Sequence, residues 1–183
     1  TLRQIAFEKA GIIKPGIPVV CGVPGGVALT EIRRVARERG APLVRVFGPG
    51  TGLTTRRTDG GFRFRYASGT DDYAFTPGLA GRYQGANAAV AIAAAEVLSR
   101  TWRPLTKAGI LRGVREACWP GRLETVSRRP LVILDGAHNE DGGAAFLAAL
   151  AELRPHMAPG RLVLIVGFMS DKDVRAIVGR LAA

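Results

Sequence analysis

An acid, an imidazole and an amide directly follow an apolar run in Val132-Ile133-Leu134-Asp135-Gly136-Ala137-His138-Asn139. Such groups at the end of a buried strand carry a desolvation cost that a purely structural turn seldom requires. In open α/β sheets, ligands bind in the crevice beyond the carboxyl ends of the strands. Asp141-Gly142-Gly143 and an Ala/Leu-rich run from Ala144 to Leu153 come next, so the backbone N–H groups of a helix start face the same crevice. A nucleotide phosphate suits that place. The plain alternative is a capped helix start, because Asp, Asn and Gly are ordinary capping residues.

Other clusters carry less. Gly22-Val23-Pro24-Gly25-Gly26, Gly48-Pro49-Gly50-Thr51-Gly52 and Gly142-Gly143 are rich in glycine, but none places Lys-Ser/Thr after its last Gly and none completes the Rossmann spacing. The first two read as turns. Cys21 and Cys118 have no CxxC spacing and no paired His, and both are expected to be small core residues. All but four of the basic residues are Arg; the lysines are Lys9, Lys14, Lys107 and Lys172.

These groups need a scaffold, and 183 residues with 47% hydrophobic content are enough to bury a core. No apolar run reaches the roughly 20 residues that cross a bilayer, and Thr1 to Glu8 lacks the order of a signal peptide. The expectation is a cytoplasmic protein with no membrane partner, acting as a monomer. The formal charge of +11 raises the question of nucleic acid, but the basic residues are dispersed along the chain, which reads as a solvated surface.

Periodicity supplies the elements. Thr1 to Ala10 reads as the end of a helix with Leu2, Ile5, Ala6 and Lys9 on one face. Ile17 to Cys21 reads as a buried strand. A helix after Gly25-Gly26 has Leu29, Ile32, Val35 and Ala36 on its apolar side, and a strand runs from Leu43 to Phe47: the βαβ grammar of a parallel sheet. Asp59-Gly60-Gly61 between Thr/Arg/aromatic runs marks a β-hairpin. Helices are predicted over Gln84 to Arg100 and from a Thr106 cap to about Ala117. Trp119-Pro120-Gly121 breaks the chain. Beyond it, strands over Leu123 to Val126, Leu131 to Leu134 and Leu162 to Val166, with helices over Ala144 to Leu153 and Val174 to Leu181, read as a second βαβ series.

Five segments, in order, carry a resemblance: Glu8-Lys9-Ala10-Gly11-Ile12-Ile13-Lys14-Pro15-Gly16, Tyr83-Gln84-Gly85-Ala86-Asn87-Ala88-Ala89, Trp119-Pro120-Gly121-Arg122-Leu123-Glu124, Leu134 to Asn139, and Val166-Gly167-Phe168-Met169-Ser170-Asp171-Lys172-Asp173. Together they resemble the folylpolyglutamate synthase/dihydrofolate synthase family of the Mur ligase superfamily. The resemblance implies an α/β fold in which residues 1–119 end a Mur-ligase-type central (ATPase) domain and residues 120–183 begin a Rossmann-like C-terminal domain. It also implies an ATP-dependent, Mg²⁺-requiring ligase that joins L-glutamate to folate or dihydropteroate through an acyl phosphate.

The same resemblance assigns residues. Lys9 matches a lysine that carbon dioxide carbamylates, which makes it a carboxylate-like ligand for Mg²⁺ and part of the catalytic set. That modification needs a neutral amine, favoured by burial or a nearby cation. Asn87 matches a nucleotide-contacting asparagine, with Gln84 a weaker neighbour. Arg122 matches an arginine that reaches the ATP phosphates, where a planar fork fits oxyanions. Asp135 and His138 match ATP contacts, His138 also standing in the catalytic set, and Lys172 is a candidate for an anionic group of substrate or phosphate. Asn139 belongs to the motif without an assigned partner.

By the same comparison, the phosphate loop, the remaining Mg²⁺ ligands and most of the folate-binding loops are expected before residue 1, and more of the C-terminal domain after residue 183. The segment alone is then expected not to turn over. Rival readings are another Mur-type amide ligase, a metal-dependent hydrolase using Asp135, His138, Asp171 and Asp173, and a basic nucleic-acid-binding module.

Overall fold

Two short strands, β1 (Val19–Cys21) and β2 (Leu43–Arg45), pair in parallel with Val19 opposite Leu43, and α2 (Gly26–Glu38) connects them. This is the βαβ unit read from the sequence. The computed structural model describes residues 1–59, 61–102, 104–157, 159–167 and 179. The chain divides into two compact units, one of Thr1–Gly78 with Gln84–Ala117 and the other of Leu79–Tyr83 with Cys118–Ala183.

The first unit begins with α1 (Leu2–Ala10), opened by a capping box in which the Thr1 side chain accepts from the Gln4 N–H and the Gln4 side chain returns to Thr1. Of the face predicted from Leu2, Ile5, Ala6 and Lys9 only Ala6 is buried, together with Ala10, while Leu2 and Ile5 are 61% and 54% exposed. Small side chains let α1 lie close against α2, and Ala10, Ile13, Val35, Ala36 and Ala41 form the cluster between them. Arg3 bonds the buried Glu31 across this contact, and Arg34 bonds it from one turn along α2. The Arg34 guanidinium holds Glu31 below the usual carboxylate range, against the opposing pull of burial and with help from Arg3.

The larger core of this unit lies under an antiparallel meander. Strands β3 (Gly52–Thr58) and β4 (Gly61–Ala67) pair with Thr58 opposite Gly61, closing the hairpin expected at Asp59-Gly60-Gly61. A third strand, β5 (Asp72–Phe75), adds to β4; its four residues were not distinguished from the hairpin in the sequence. Alternation puts Phe64, Tyr66, Tyr73 and Phe75 inward. They pack on Ala88, Ala89, Ile92 and Ala93 of α3 (Gln84–Thr101) and Val114 of α4 (Lys107–Glu116). Thr106 caps α4 as read, its hydroxyl accepting from the Gly109 N–H. Alanines on α3 leave room for the aromatic rings. At the helix start the approach is closer still: a Cβ on Gly85 would meet the Phe64 ring at 2.1 Å.

The second unit differs from its expectation. Strands β6 (Glu124–Arg128) and β7 (Leu131–Leu134) pair antiparallel, as a hairpin and not as part of a βαβ series. The two residues between them can turn the chain back but cannot supply the dozen or so that a parallel crossover needs. Helix α5 (Glu140–Leu153) follows. Residues 162–166 are not a strand: they pair with no neighbour among the described residues, and Val163 and Ile165 are 76% and 92% exposed. β-propensity alone makes no strand without a partner edge. The helix predicted at Val174 to Leu181 lies outside the described residues apart from Gly179. Residues 79–83 join this unit, where Arg82 pairs with Glu152 at 3.4 Å.

The two cysteines part company. Cys21 is buried as expected, whereas Cys118 is exposed because it lies in the irregular stretch after α4 and not in a core element. The fold is α/β in content, and no helix among the described residues is long and apolar enough to cross a membrane.

Candidate functional site

In the second unit the turn after β7 and the turn before β6 are knitted together. Asp135 is the first residue past β7 and half-buried. One of its carboxylate oxygens accepts from the Ala137 N–H and the other from the Leu123 N–H, both at 2.8 Å. The Gly136 N–H donates to the Gly121 carbonyl and the Gly121 N–H to a Glu124 carboxylate oxygen, each at 2.7 Å. Leu123 is buried and has φ +49°, the one positive value among described residues other than glycine. Arg122 is exposed between it and Gly121, and its guanidinium has no hydrogen-bond or ion-pair partner among the described residues.

His138 is exposed, with Nδ1 2.9 Å from the Gly136 carbonyl. A carbonyl only accepts, so the proton of a neutral ring sits on Nδ1 and Nε2 is left as an acceptor toward solvent. Asn139 is the N-cap of α5, its side-chain oxygen accepting from the Gly142 N–H at 2.7 Å. The capped helix start weighed for this turn is therefore real, but it belongs to Asn139; Asp135 and His138 stand outside it. Glu140 and Asp141 occupy the first turn of α5 and already satisfy its dipole, so this helix start is a poorer anion seat than its glycines imply.

In the first unit Asn87 lies exposed in the first turn of α3, where its amide donates to the side-chain oxygen of the buried Gln84 at 2.9 Å. Gln84 is held at the core edge by the close seating of Gly85 on Phe64, so Asn87 projects from a fixed helix start. Lys9 is exposed in the last turn of α1, favourably placed against the helix dipole. Lys9 and Asn87 share no hydrogen bond. Lys172, with Asp171 and Asp173, lies outside the described residues. A cavity of about 580 Å³ opens beside α1, lined by Thr1, Gln4, Ile5, Glu8 and Glu31 among others, and contains none of the predicted site residues.

Among the described residues no three His, Cys, Asp or Glu side chains gather to hold a metal ion. Asp135 and His138 thus make no metal centre with any other described residue; Asp171 and Asp173, which the hydrolase reading also uses, lie outside the described residues. Lys9 would supply a single oxygen ligand if carbamylated, and no acidic cluster among the described residues stands with it. The described donors do not by themselves fit Mg²⁺. Sequence reasoning named Arg122 but gave no role to Glu124, two residues on; the carboxylate was visible in the motif, whereas the left-handed Leu123 that it flanks was not.

Residues 121–183 match the family model for the Mur ligase glutamate ligase domain. The chain is similar to the folylpolyglutamate synthase of Lacticaseibacillus casei, 35% identical over 100% of this chain and 42% of that protein. It is likewise similar to the dihydrofolate synthase/folylpolyglutamate synthase of Bacillus subtilis, 35% identical over 99% of this chain and 42% of that one. A solved structure described as an FPGS-AMPPCP-folate complex superposes with a TM-score of 0.87 at 35% identity, covering 100% of this chain and 44% of that chain. The chain spans less than half the length of these relatives. The similarity to these relatives extends over the whole of this chain, and residues 121–183 belong to the Mur ligase glutamate ligase domain family.

Proposed function

We propose that the protein carrying this chain is an ATP-dependent ligase that forms an amide between L-glutamate and the carboxylate of folate or dihydropteroate. Residues 1–119 would be the end of its central ATPase domain and residues 120–183 the beginning of its C-terminal domain. The observation that carries this is similarity over the whole chain to relatives named for this activity, one of them solved with folate and AMPPCP, a non-hydrolysable ATP analogue. The reading extends to a cytoplasmic monomer, checked by fractionation and size-exclusion chromatography.

The chemistry runs in two transfers. A carboxylate oxygen of the acceptor attacks the γ-phosphorus of ATP, and ADP leaves with the electron pair of the broken P–O bond. The amino nitrogen of glutamate then attacks the acyl carbon of the acyl phosphate; inorganic phosphate departs and the nitrogen loses a proton. An ammonium and a carboxylate do not condense in water without such a leaving group. In this scheme the unpaired guanidinium of Arg122 meets phosphate oxygens, the Asn87 amide contacts the nucleotide, and His138 offers Nε2 to ATP or to a proton in transfer. Asp135 and Lys172 complete the set, Lys172 toward an anionic group. Lys9, if carbamylated, would offer a carboxylate-like oxygen to Mg²⁺.

The test is phosphate release by the whole protein with ATP, L-glutamate and either dihydropteroate or tetrahydrofolate. Stimulation by either acceptor is the expected result. Stimulation by neither, with a different amino acid or acceptor active instead, would make it another Mur-type ligase. Lys9→Ala is expected to abolish turnover; unchanged turnover would remove the carbamate role.

A further inference from the structure

We infer that Glu124 and Asp135 act together as a carboxylate clip whose work is to present Arg122, which makes them positioning residues for the nucleotide. The inference rests on the nucleotide reading above and goes beyond it, because Glu124 has no role there and Asp135 stands there as an ATP contact.

The geometry begins with the backbone. From Gly121 to Glu124 the chain turns through φ +71° at Gly121 and +49° at Leu123. Glycine adopts that region freely, but leucine avoids it because its Cβ crowds the carbonyl. A non-glycine residue stays there only where its surroundings over-determine it. Here they do so from both sides of Arg122. The Glu124 carboxylate takes the Gly121 N–H at 2.7 Å, and the Asp135 carboxylate takes the Leu123 N–H at 2.8 Å. The Leu123 side chain is buried, so the residue after Arg122 is anchored at its side chain as well as at its backbone.

The second carboxylate oxygen of Asp135 is spent on Ala137, and the Gly121 carbonyl is spent on Gly136. The His138 ring in turn leans on the carbonyl of that same Gly136. Arg122 and His138 are therefore mounted on one interlocked pair of turns. With both oxygens committed to backbone donors of these turns, Asp135 holds the frame. Charged acceptors make short, strong bonds to N–H groups, so the frame is stiff and Arg122 loses less freedom when it meets an anion.

The experiment is AMPPCP binding by the whole protein, measured calorimetrically for Arg122→Ala, Glu124→Ala, Glu124→Gln and the double variant. Glu124→Ala is expected to weaken binding about tenfold, as coupled neighbours do, and Glu124→Gln to restore it, because the amide oxygen still accepts from Gly121. In the Arg122→Ala background the loss of Glu124 is expected to cost less than about twofold, since there is nothing left to position. Asp135→Asn, which leaves one of two N–H groups facing a donor, should follow Glu124→Ala in binding and in the KM for ATP. If that variant does not fold, the exposed Glu124 carries the test.

Additive losses in the double variant, or full-strength binding by Glu124→Ala while Arg122→Ala is weak, would overturn the clip and leave the ligase reading standing. Failure of the unsubstituted protein to bind AMPPCP would overturn both.

Discussion

The two units hold their candidate residues by opposite means. In the first, Asn87 projects from a helix whose start is fixed by packing: Gly85 seats on Phe64, and the aromatic layer beneath is buried almost completely. In the second, the described hydrophobic core is slight. Leu123, Ala149 and Leu150 are buried, while Val126, Leu131, Val132 and Leu134 of the hairpin are each more than 40% exposed. Arg122 and His138 are held there by carboxylates and backbone donors. A packed mount is sensitive to changes of side-chain volume and a polar one to the loss of an acceptor, so the two regions should fail under different substitutions.

The strongest break in this comparison is Phe64→Ala. Its ring is 2% exposed, stacks on Phe75 with centroids 5.6 Å apart and fills the space left by Gly85. Removing it leaves a cavity and should cost about 3–5 kcal/mol of stability, read from the urea midpoint at constant m-value. A loss below about 1 kcal/mol would mean that the meander and α3 collapse onto each other easily and that Asn87 is not held by packing.

The legibility of the chain follows the same division. Strong periodicity and turn chemistry made α2, the Asp59-Gly60-Gly61 hairpin, α3 and the Thr106 cap readable, because those elements are decided by their own residues and near neighbours. Packing partners were not. The sequence put Leu2, Ile5, Ala6 and Lys9 on one face of α1, yet of these only Ala6 is buried, beside Ala10, since what α2 accepts is close approach. β6 and β7 were located, but their antiparallel pairing follows from a connection whose shortness was not weighed. In the site, the residue types at 122, 135 and 138 were visible as a motif. The hydrogen bonds that commit Asp135 to Leu123 and Ala137 were not, because they join turns separated in sequence and depend on a left-handed leucine that no pattern announces.

A smaller effect comes from the polar knot beside the first core. The hydroxyls of Ser68, Thr70 and Tyr73 all reach one carboxylate oxygen of Glu96, at 2.7, 2.9 and 3.0 Å. Glu96→Gln removes the charge that strengthens these bonds and should cost about 1–2 kcal/mol. Burial, and after it the bond to Glu96, raises the Tyr73 phenol well above its ordinary value. The folded state therefore keeps that proton more tightly than the unfolded chain does. The stability linked to it is whole below the ordinary tyrosine value of about 10 and is lost as pH climbs above it. Urea midpoints from pH 8 to 11 should fall at the alkaline end, and Glu96→Gln should make the fall shallower without abolishing it, because burial is the larger cause. An equally steep fall in Tyr73→Phe would locate the alkaline loss elsewhere.

The finest comparison uses two helix caps of one kind, one in each unit. Thr106 accepts from Gly109 at 3.1 Å and Asn139 from Gly142 at 2.7 Å, each satisfying one orphan N–H of a first turn. Replacing either by Ala should cost about 1 kcal/mol. The cap of α4 sits on an element packed against the meander core, so its loss should appear in the same transition as Phe64→Ala. The cap of α5 follows directly on His138, whose ring rests on the Gly136 carbonyl, and its loss should loosen that turn before it touches the first core. Hydrogen exchange resolves the two: Asn139→Ala should raise exchange at Gly142 and Gly143 while leaving the amides of β4 and β5 unmoved. Matching changes in both places would show that the units unfold together, and the contrast between a packed mount and a polar one would then describe local geometry without separate stabilities.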